Sequence, residues 1–143
     1  MFRMKKLLYF AFAVLLLSSC SEYQKVLNKG TVEQQYALAT KMYEAKKYNK
    51  ALDLFEKITP TYAGKPQMER IQFMVAQSNF NVKNYALAGY YYQRFTLNYP
   101  KSSKKEEAAF LSAYSYKLAS PVFSLEAKDT HKALEAFQSF IDE

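Results

Sequence analysis

Three short segments of this chain repeat one helical pattern, and that repetition narrows the fold more than anything else in it. The segments are Tyr48-Asn49-Lys50-Ala51-Leu52-Asp53-Leu54-Phe55, Tyr85-Ala86-Leu87-Ala88-Gly89-Tyr90-Tyr91-Tyr92 and Thr130-His131-Lys132-Ala133-Leu134-Glu135-Ala136-Phe137. Each has an alanine three residues after its first position and an aromatic four residues further on. Residues four apart share one helix face. The alanine lets a preceding helix approach closely, and the aromatic fills the space one turn on. Ala51, Ala88 and Ala133 stand 37 and 45 residues apart, and each segment follows a longer helical pattern rich in aromatics and alanine. A single helix pair cannot bury its apolar face, so such pairs stack around a shared core. With three glycines, four prolines and no sustained strand-like alternation in 143 residues, the expectation is an all-α superhelix of three helix pairs over residues 31–143.

Capping and breaking residues set the expected boundaries. Tyr23, Val26 and Leu27 allow one or two helical turns before Gly30. Thr31 can cap a first helix to about Lys46. A second helix over Lys47 to Ile58 should end before Thr59-Pro60, because proline removes a backbone donor. Gly64-Lys65-Pro66 opens the third, with proline tolerated in a first turn. Asn84 can cap the fourth, which ends before Tyr99-Pro100, and Ser102 or Ser103 the fifth, which ends at Ser120-Pro121. Asp129 or Thr130 can cap the last. The longer connection Ala119 to Lys128 explains the wider third interval. It reads equally as a functional loop and as a tolerated insertion.

The N-terminus is a secretory signal followed by a lipid-attachment site. Arg3, Lys5 and Lys6 precede an apolar run of 11 residues, Leu7 to Leu17. That run is short of the roughly 20 residues a membrane-spanning helix needs. Leu17-Ser18-Ser19-Cys20 then places small residues before the chain's one cysteine. Residues 1–19 read as a cleaved signal peptide, Cys20 as the lipidated residue, and 20–30 as the linker that follows it. A diacylglycerol thioether on Cys20 and a further acyl chain, such as palmitate, on its freed amine give stable anchoring at about 0.8 kcal/mol per buried methylene. No intrachain disulfide is possible, so the exported domain holds together by packing. Removing Arg3, Lys5 and Lys6 lowers the net charge from +7 to +4. That mild, dispersed basicity suits anionic head groups or an acidic partner and gives no support to nucleic-acid binding.

No catalytic constellation is visible, and the expectation is a non-enzymatic protein without metal or cofactor. His131 is the single histidine and has no second nitrogen or sulfur ligand near it in sequence. Glu106 and Glu107 are helix neighbours pointing in different directions, better suited to first-turn charge. Gly64-Lys65 lacks the flanking glycine and hydroxyl of a phosphate loop. Lys41, Lys46, Lys47, Lys50 and Lys57 read as a solvated helix surface.

The repeats resemble tetratricopeptide repeats. Ala39, Tyr48, Ala51 and Phe55 match the first; Ala76, Tyr85, Ala88, Tyr92 and Pro100 the second; Ala113, Ala133 and Phe137 the third, across the insertion. The first lacks the family tryptophan and the third the turn tyrosine. The lipid-attachment site joined to this array, with Tyr91-Tyr92-Gln93-Arg94-Phe95, Tyr99-Pro100-Lys101-Ser102 and Ala133-Leu134-Glu135-Ala136-Phe137, resembles the BamD-like lipoproteins of the outer-membrane β-barrel assembly (BAM) machinery. The tyrosine-rich composition resembles the Bacteroidetes version. Members of that family carry more repeats, so the resemblance implies that this sequence is the N-terminal part of a longer protein, ending within its third pair.

What the resemblance implies is binding rather than covalent chemistry. The first helices of the pairs would line a peptide-binding groove. Its candidates are Tyr36, Thr40 and Tyr43 in the first repeat, Phe73, Gln77, Phe80 and Asn81 in the second, and Phe110, Tyr114 and Lys117 in the third. The implied ligands are unfolded outer-membrane proteins, presenting a C-terminal, aromatic-ended strand. The implied partners are a BamA-like barrel protein with periplasmic repeat domains and other assembly subunits. Ser21 is not the aspartate that retains lipoproteins at the inner membrane, and Ser21 to Lys25 is not an acidic export tag, so the expected location is the periplasmic face of the outer membrane. The alternative is another envelope tetratricopeptide lipoprotein, an adaptor in cell division or cell-wall coordination.

Overall fold

The computed structural model describes residues 22–120 and 128–142. These residues form helices and turns, with no strand among them. A short helix, α1, covers residues 22–29. Six longer ones follow: α2 (Val32–Glu44), α3 (Tyr48–Tyr62), α4 (Gln67–Asn81), α5 (Tyr85–Asn98), α6 (Lys105–Ala119) and α7 (Lys128–Asp142). Each of α2 to α7 packs chiefly on its neighbours in sequence. The result is the expected tetratricopeptide-like solenoid of three helix pairs, α2/α3, α4/α5 and α6/α7. The expected signal peptide, Cys20 and most of the connection after Ala119 lie outside the described residues.

Local chemistry explains most boundaries. Thr31 caps α2 through a reciprocal box in which its side chain accepts from the Gln34 backbone N–H and the Gln34 side chain accepts from the Thr31 N–H. Such a cap contributes about 1 kcal/mol. The α2–α3 and α4–α5 turns are the same motif 37 residues apart. Lys46 and Lys83 sit at φ 59° and 66°, in the left-handed region that favours glycine. The next N–H reaches back five residues in each case, Lys47 to the Met42 carbonyl at 2.8 Å and Asn84 to the Asn79 carbonyl at 2.9 Å. These bonds satisfy carbonyls that a helix end leaves unpaired.

Four boundaries differ from expectation. Asn84 holds the N-cap position of α5, but its side chain makes no cap hydrogen bond and its amide donates to the Asn79 side-chain oxygen at 3.4 Å. α3 runs through Pro60 to Tyr62 rather than stopping before Thr59. Tyr62 is buried against Tyr36, ring centroids 5.4 Å apart, and this contact holds the last turn helical. The Thr59 hydroxyl donates to the Phe55 carbonyl, and Pro60 itself is exposed. Neither serine side chain caps α6. Lys104 holds the N-cap position, and the Ser102 hydroxyl accepts from its N–H at 3.1 Å. α7 begins at Lys128, so Thr130 lies inside it; the Thr130 hydroxyl shares a 2.6 Å hydrogen bond with Ser120 at the end of α6.

The core has two centres. One joins the first pair to α1 and α4 through Tyr23, Leu54, Phe55, Ile58, Ile71 and Met74. The other lies in the second pair and reaches α6, built on Ala76, Ala88, Tyr92, Phe95 and Ala108. The alanines of the repeat, Ala39, Ala51, Ala76, Ala88 and Ala113, are fully buried. Ser112 donates to the Gly89 carbonyl at 2.9 Å across α5 and α6. A β-carbon at Gly89 would lie 2.9 Å from the Tyr116 ring, so only glycine permits this approach.

Candidate functional site

Nine of the ten groove candidates fall into three repeat-equivalent sets, each spaced by 37 residues: Tyr36/Phe73/Phe110, Thr40/Gln77/Tyr114 and Tyr43/Phe80/Lys117; Asn81 stands outside them. The first set lies against the second helix of its own pair. Phe73 meets Tyr92 and Phe95 edge-on at 5.8 and 5.3 Å. Phe110 meets Phe137 and Phe140 in the same way at 6.5 and 6.1 Å. Phe73 is half-buried on the core, whereas Phe110 is 46% exposed.

The other two sets form a ladder from pair to pair. The Tyr43 hydroxyl on α2 donates to the Gln77 side-chain oxygen on α4. Phe80 on α4 packs on Tyr114 on α6 with centroids 6.1 Å apart. Both links join residues 34 apart, so one geometry is used twice with different chemistry. Turn tyrosines brace each rung, Tyr48 against Tyr43 at 5.9 Å and Tyr85 against Phe80 at 5.5 Å. Phe110 continues the row, stacked at 10° on Tyr114. Burial, with a smaller contribution from Tyr48, raises the Tyr43 hydroxyl above the usual range, so it stays a donor at neutral pH.

The polar candidates divide. The Asn81 amide is turned back onto the Gln77 carbonyl at 2.7 Å and is exposed, as is Lys117. The Thr40 hydroxyl is buried and has no hydrogen-bond partner among the described residues. His131 is exposed on α7, and no cluster of His, Cys, Asp or Glu suited to a metal forms among the described residues. Glu107 pairs with Lys104 at 2.6 Å in the first turn of α6, consistent with a helix-end charge.

The outer surface carries two grooves that the sequence reasoning missed. One, of about 520 Å3, runs between α3 and α5 over α4 and is lined by Leu52, Pro60, Val75, Leu87, Tyr90, Tyr91 and Arg94. The other, of about 490 Å3, runs between α5 and α7 over α6, with Leu97, Ala109, Lys132, Glu135 and Ala136 among its lining. Most of the second lining is the first shifted by 37 or 45 residues. Neither groove includes any of the ten candidates on the first helices. The signal in the sequence was the run Leu87 to Tyr91, which is too aromatic for one buried stripe.

A family model described as YfiO, outer membrane lipoprotein, matches residues 28–142. This chain belongs to the YfiO family of outer membrane lipoproteins. The match runs from the end of α1 through α7, so the YfiO family relationship covers all three helix pairs. A second model, the prokaryotic membrane lipoprotein lipid attachment site, matches residues 4–21, which contain Cys20. No curated protein matches this YfiO-family chain. No described helix is long and apolar enough to cross a membrane, and lipid attachment is the means of membrane association that the match supports.

Proposed function

We propose that this lipoprotein is a BamD-like subunit of the outer-membrane β-barrel assembly machinery. It is anchored through Cys20 on the periplasmic face and acts as a scaffold that receives unfolded outer-membrane proteins. The observation that carries the reading is the ladder Tyr43–Gln77 and Phe80–Tyr114, which aligns half-exposed aromatics along three successive first helices. Rigid aromatic rings give contact area with little entropy to lose. An extended strand with alternating aromatics and a terminal carboxylate is a suitable ligand, with Lys117 beside the row to receive the charge.

Two experiments test this. Affinity purification of the tagged protein from its own membranes should recover a large BamA-like barrel protein with periplasmic repeat domains in near-equal amount. Recovery of division or cell-wall proteins instead would move the function to an envelope adaptor. Replacing Tyr43, Phe80 and Tyr114 by Ala should weaken binding of a C-terminal strand peptide at least tenfold, and undiminished affinity would remove the groove from the mechanism.

A further inference from the structure

α1, which begins two residues after Cys20, is packed onto the fold rather than left as a tether. Tyr23 is 6% exposed, and its hydroxyl donates to the Asp53 carboxylate at 3.0 Å and lies 3.2 Å from the Lys50 carbonyl. The Lys50 ammonium sits 4.8 Å from the centre of the Tyr23 ring. The Gln35 amide donates to the Val26 and Leu27 carbonyls at 3.3 and 3.1 Å, closing the other end of α1. Gly30 turns the chain into α2 where a β-carbon would strike the Val26 carbonyl at 2.5 Å. α1 is therefore clamped to both helices of the first pair.

This clamp limits how far the array can stand from its anchor. Three residue steps separate Cys20 from Tyr23, about 11 Å at full stretch. That is about the diameter of one helix. Tyr23 lies against Lys50 and Asp53 on the first half of α3; Lys46 and Lys47, both exposed, immediately precede that helix, and Lys25 is exposed on α1. None of these four lysines has a salt bridge among the described residues. Of the nearby carboxylates, Asp53 accepts from Tyr23, Glu44 lies 3.9 Å from Arg70, and Glu22 is exposed.

We propose that Lys25, Lys46, Lys47 and Lys50 form a membrane-contact surface that docks on anionic phospholipid head groups and fixes the orientation of the array on the bilayer. The proposal rests on acylation of Cys20 as read above. The lipid supplies the attachment, and the lysines select the face that lies down. A lysine held at an anionic surface favours the docked state about fivefold. Four together outweigh free rotation about the anchor and are weakened by salt.

The test uses the full mature chain in nanodiscs. Its intact mass reports acylation of Cys20 by itself, so failure of that reading is seen separately. Acylation consumes the chain's one cysteine, so Asn49→Cys or Lys101→Cys supplies a unique labelling site. Asn49 lies in the first turn of α3 and Lys101 in the α5–α6 turn, and both are exposed. Energy transfer to head-group acceptors should be stronger from position 49 than from 101. It should be stronger at 49 in bilayers with one third phosphatidylglycerol than in phosphatidylcholine. It should fall at least twofold with Lys25→Glu, Lys46→Glu and Lys47→Glu combined, and likewise for the unreversed chain in 0.5 M salt. Equal transfer from both positions, or transfer at 49 that ignores lipid charge and salt, would overturn the docking surface.

Discussion

Individual residues show where this fold carries a cost and where it leaves no room. Lys46 and Lys83 hold the left-handed position of their turns, which disfavours any side chain by about 1–2 kcal/mol. Lys83→Gly should therefore raise unfolding free energy by up to about 1 kcal/mol, the extra freedom of glycine in the unfolded chain taking back part of the gain; urea denaturation measures it. Tyr92 is fully buried with its hydroxyl unpartnered among the described residues, and burial keeps that hydroxyl protonated at all ordinary pH values. An unpaired buried hydroxyl costs about 1–3 kcal/mol, so Tyr92→Phe should stabilise the protein by about 1 kcal/mol in the same assay. Gly89→Ala has the opposite expectation. The gain in helix propensity is about 1 kcal/mol, but the new β-carbon meets the packed Tyr116 ring at 2.9 Å. Overpacking costs about 1–3 kcal/mol, and a lower melting temperature should result.

At the scale of elements, α1 is held by the Tyr23 side chain, the Gln35 amide and the packing of Leu27 on the first core. The Tyr23 hydroxyl is pushed from 10.0 up to about 12, first by burial and then by the Asp53 carboxylate it donates to. Its folded form disfavours ionisation. The contribution of this contact is therefore fully present below pH 10 and is lost as pH rises toward 12. Amide exchange measured after brief exposure to stepped pH should show residues 22–29 losing protection in that window, ahead of α2 and α3. Tyr23→Phe should abolish the step while lowering protection at neutral pH. The extension of α3 through Pro60 belongs to this scale as well. Burial of Tyr62 outweighs the missing backbone hydrogen bond, so a breaker that ends helices elsewhere becomes part of a last turn here.

Across the whole molecule, the repeat lets one interaction geometry be used more than once. The Tyr43–Gln77 and Phe80–Tyr114 links and the Phe73 and Phe110 contacts each recur in register. Repeated positions nevertheless differ in what they expose. Phe73 supports the second pair, so Phe73→Ala should cost about 3 kcal/mol of stability. Tyr43→Ala, Phe80→Ala and Tyr114→Ala together should weaken peptide binding and also lower stability, because Tyr43 and Phe80 pack on the core; circular dichroism at the assay temperature checks that the variant is folded when its affinity is read. The two outer grooves obey the same translation.

The sequence alone determined the class of fold, because the alanine-plus-aromatic spacing has one economical solution, and it determined the pairing of helices, because turn signals separate them. It also marked Cys20 as the candidate for lipid attachment, inside the segment that the lipid-attachment-site model matches, since small residues before a lone cysteine at the end of a short apolar run are a local signal. Tertiary structure decided the rest. Whether an aromatic on a first helix faces a ligand or the core depends on which partner lies across from it. The same repeat position is half-buried at Phe73 and 46% exposed at Phe110. The docking of α1 hangs on Tyr23 reaching Asp53, 30 residues away. Local periodicity carries no record of a contact at that separation, because the energy that selects it belongs to surfaces which exist only after the helices have packed.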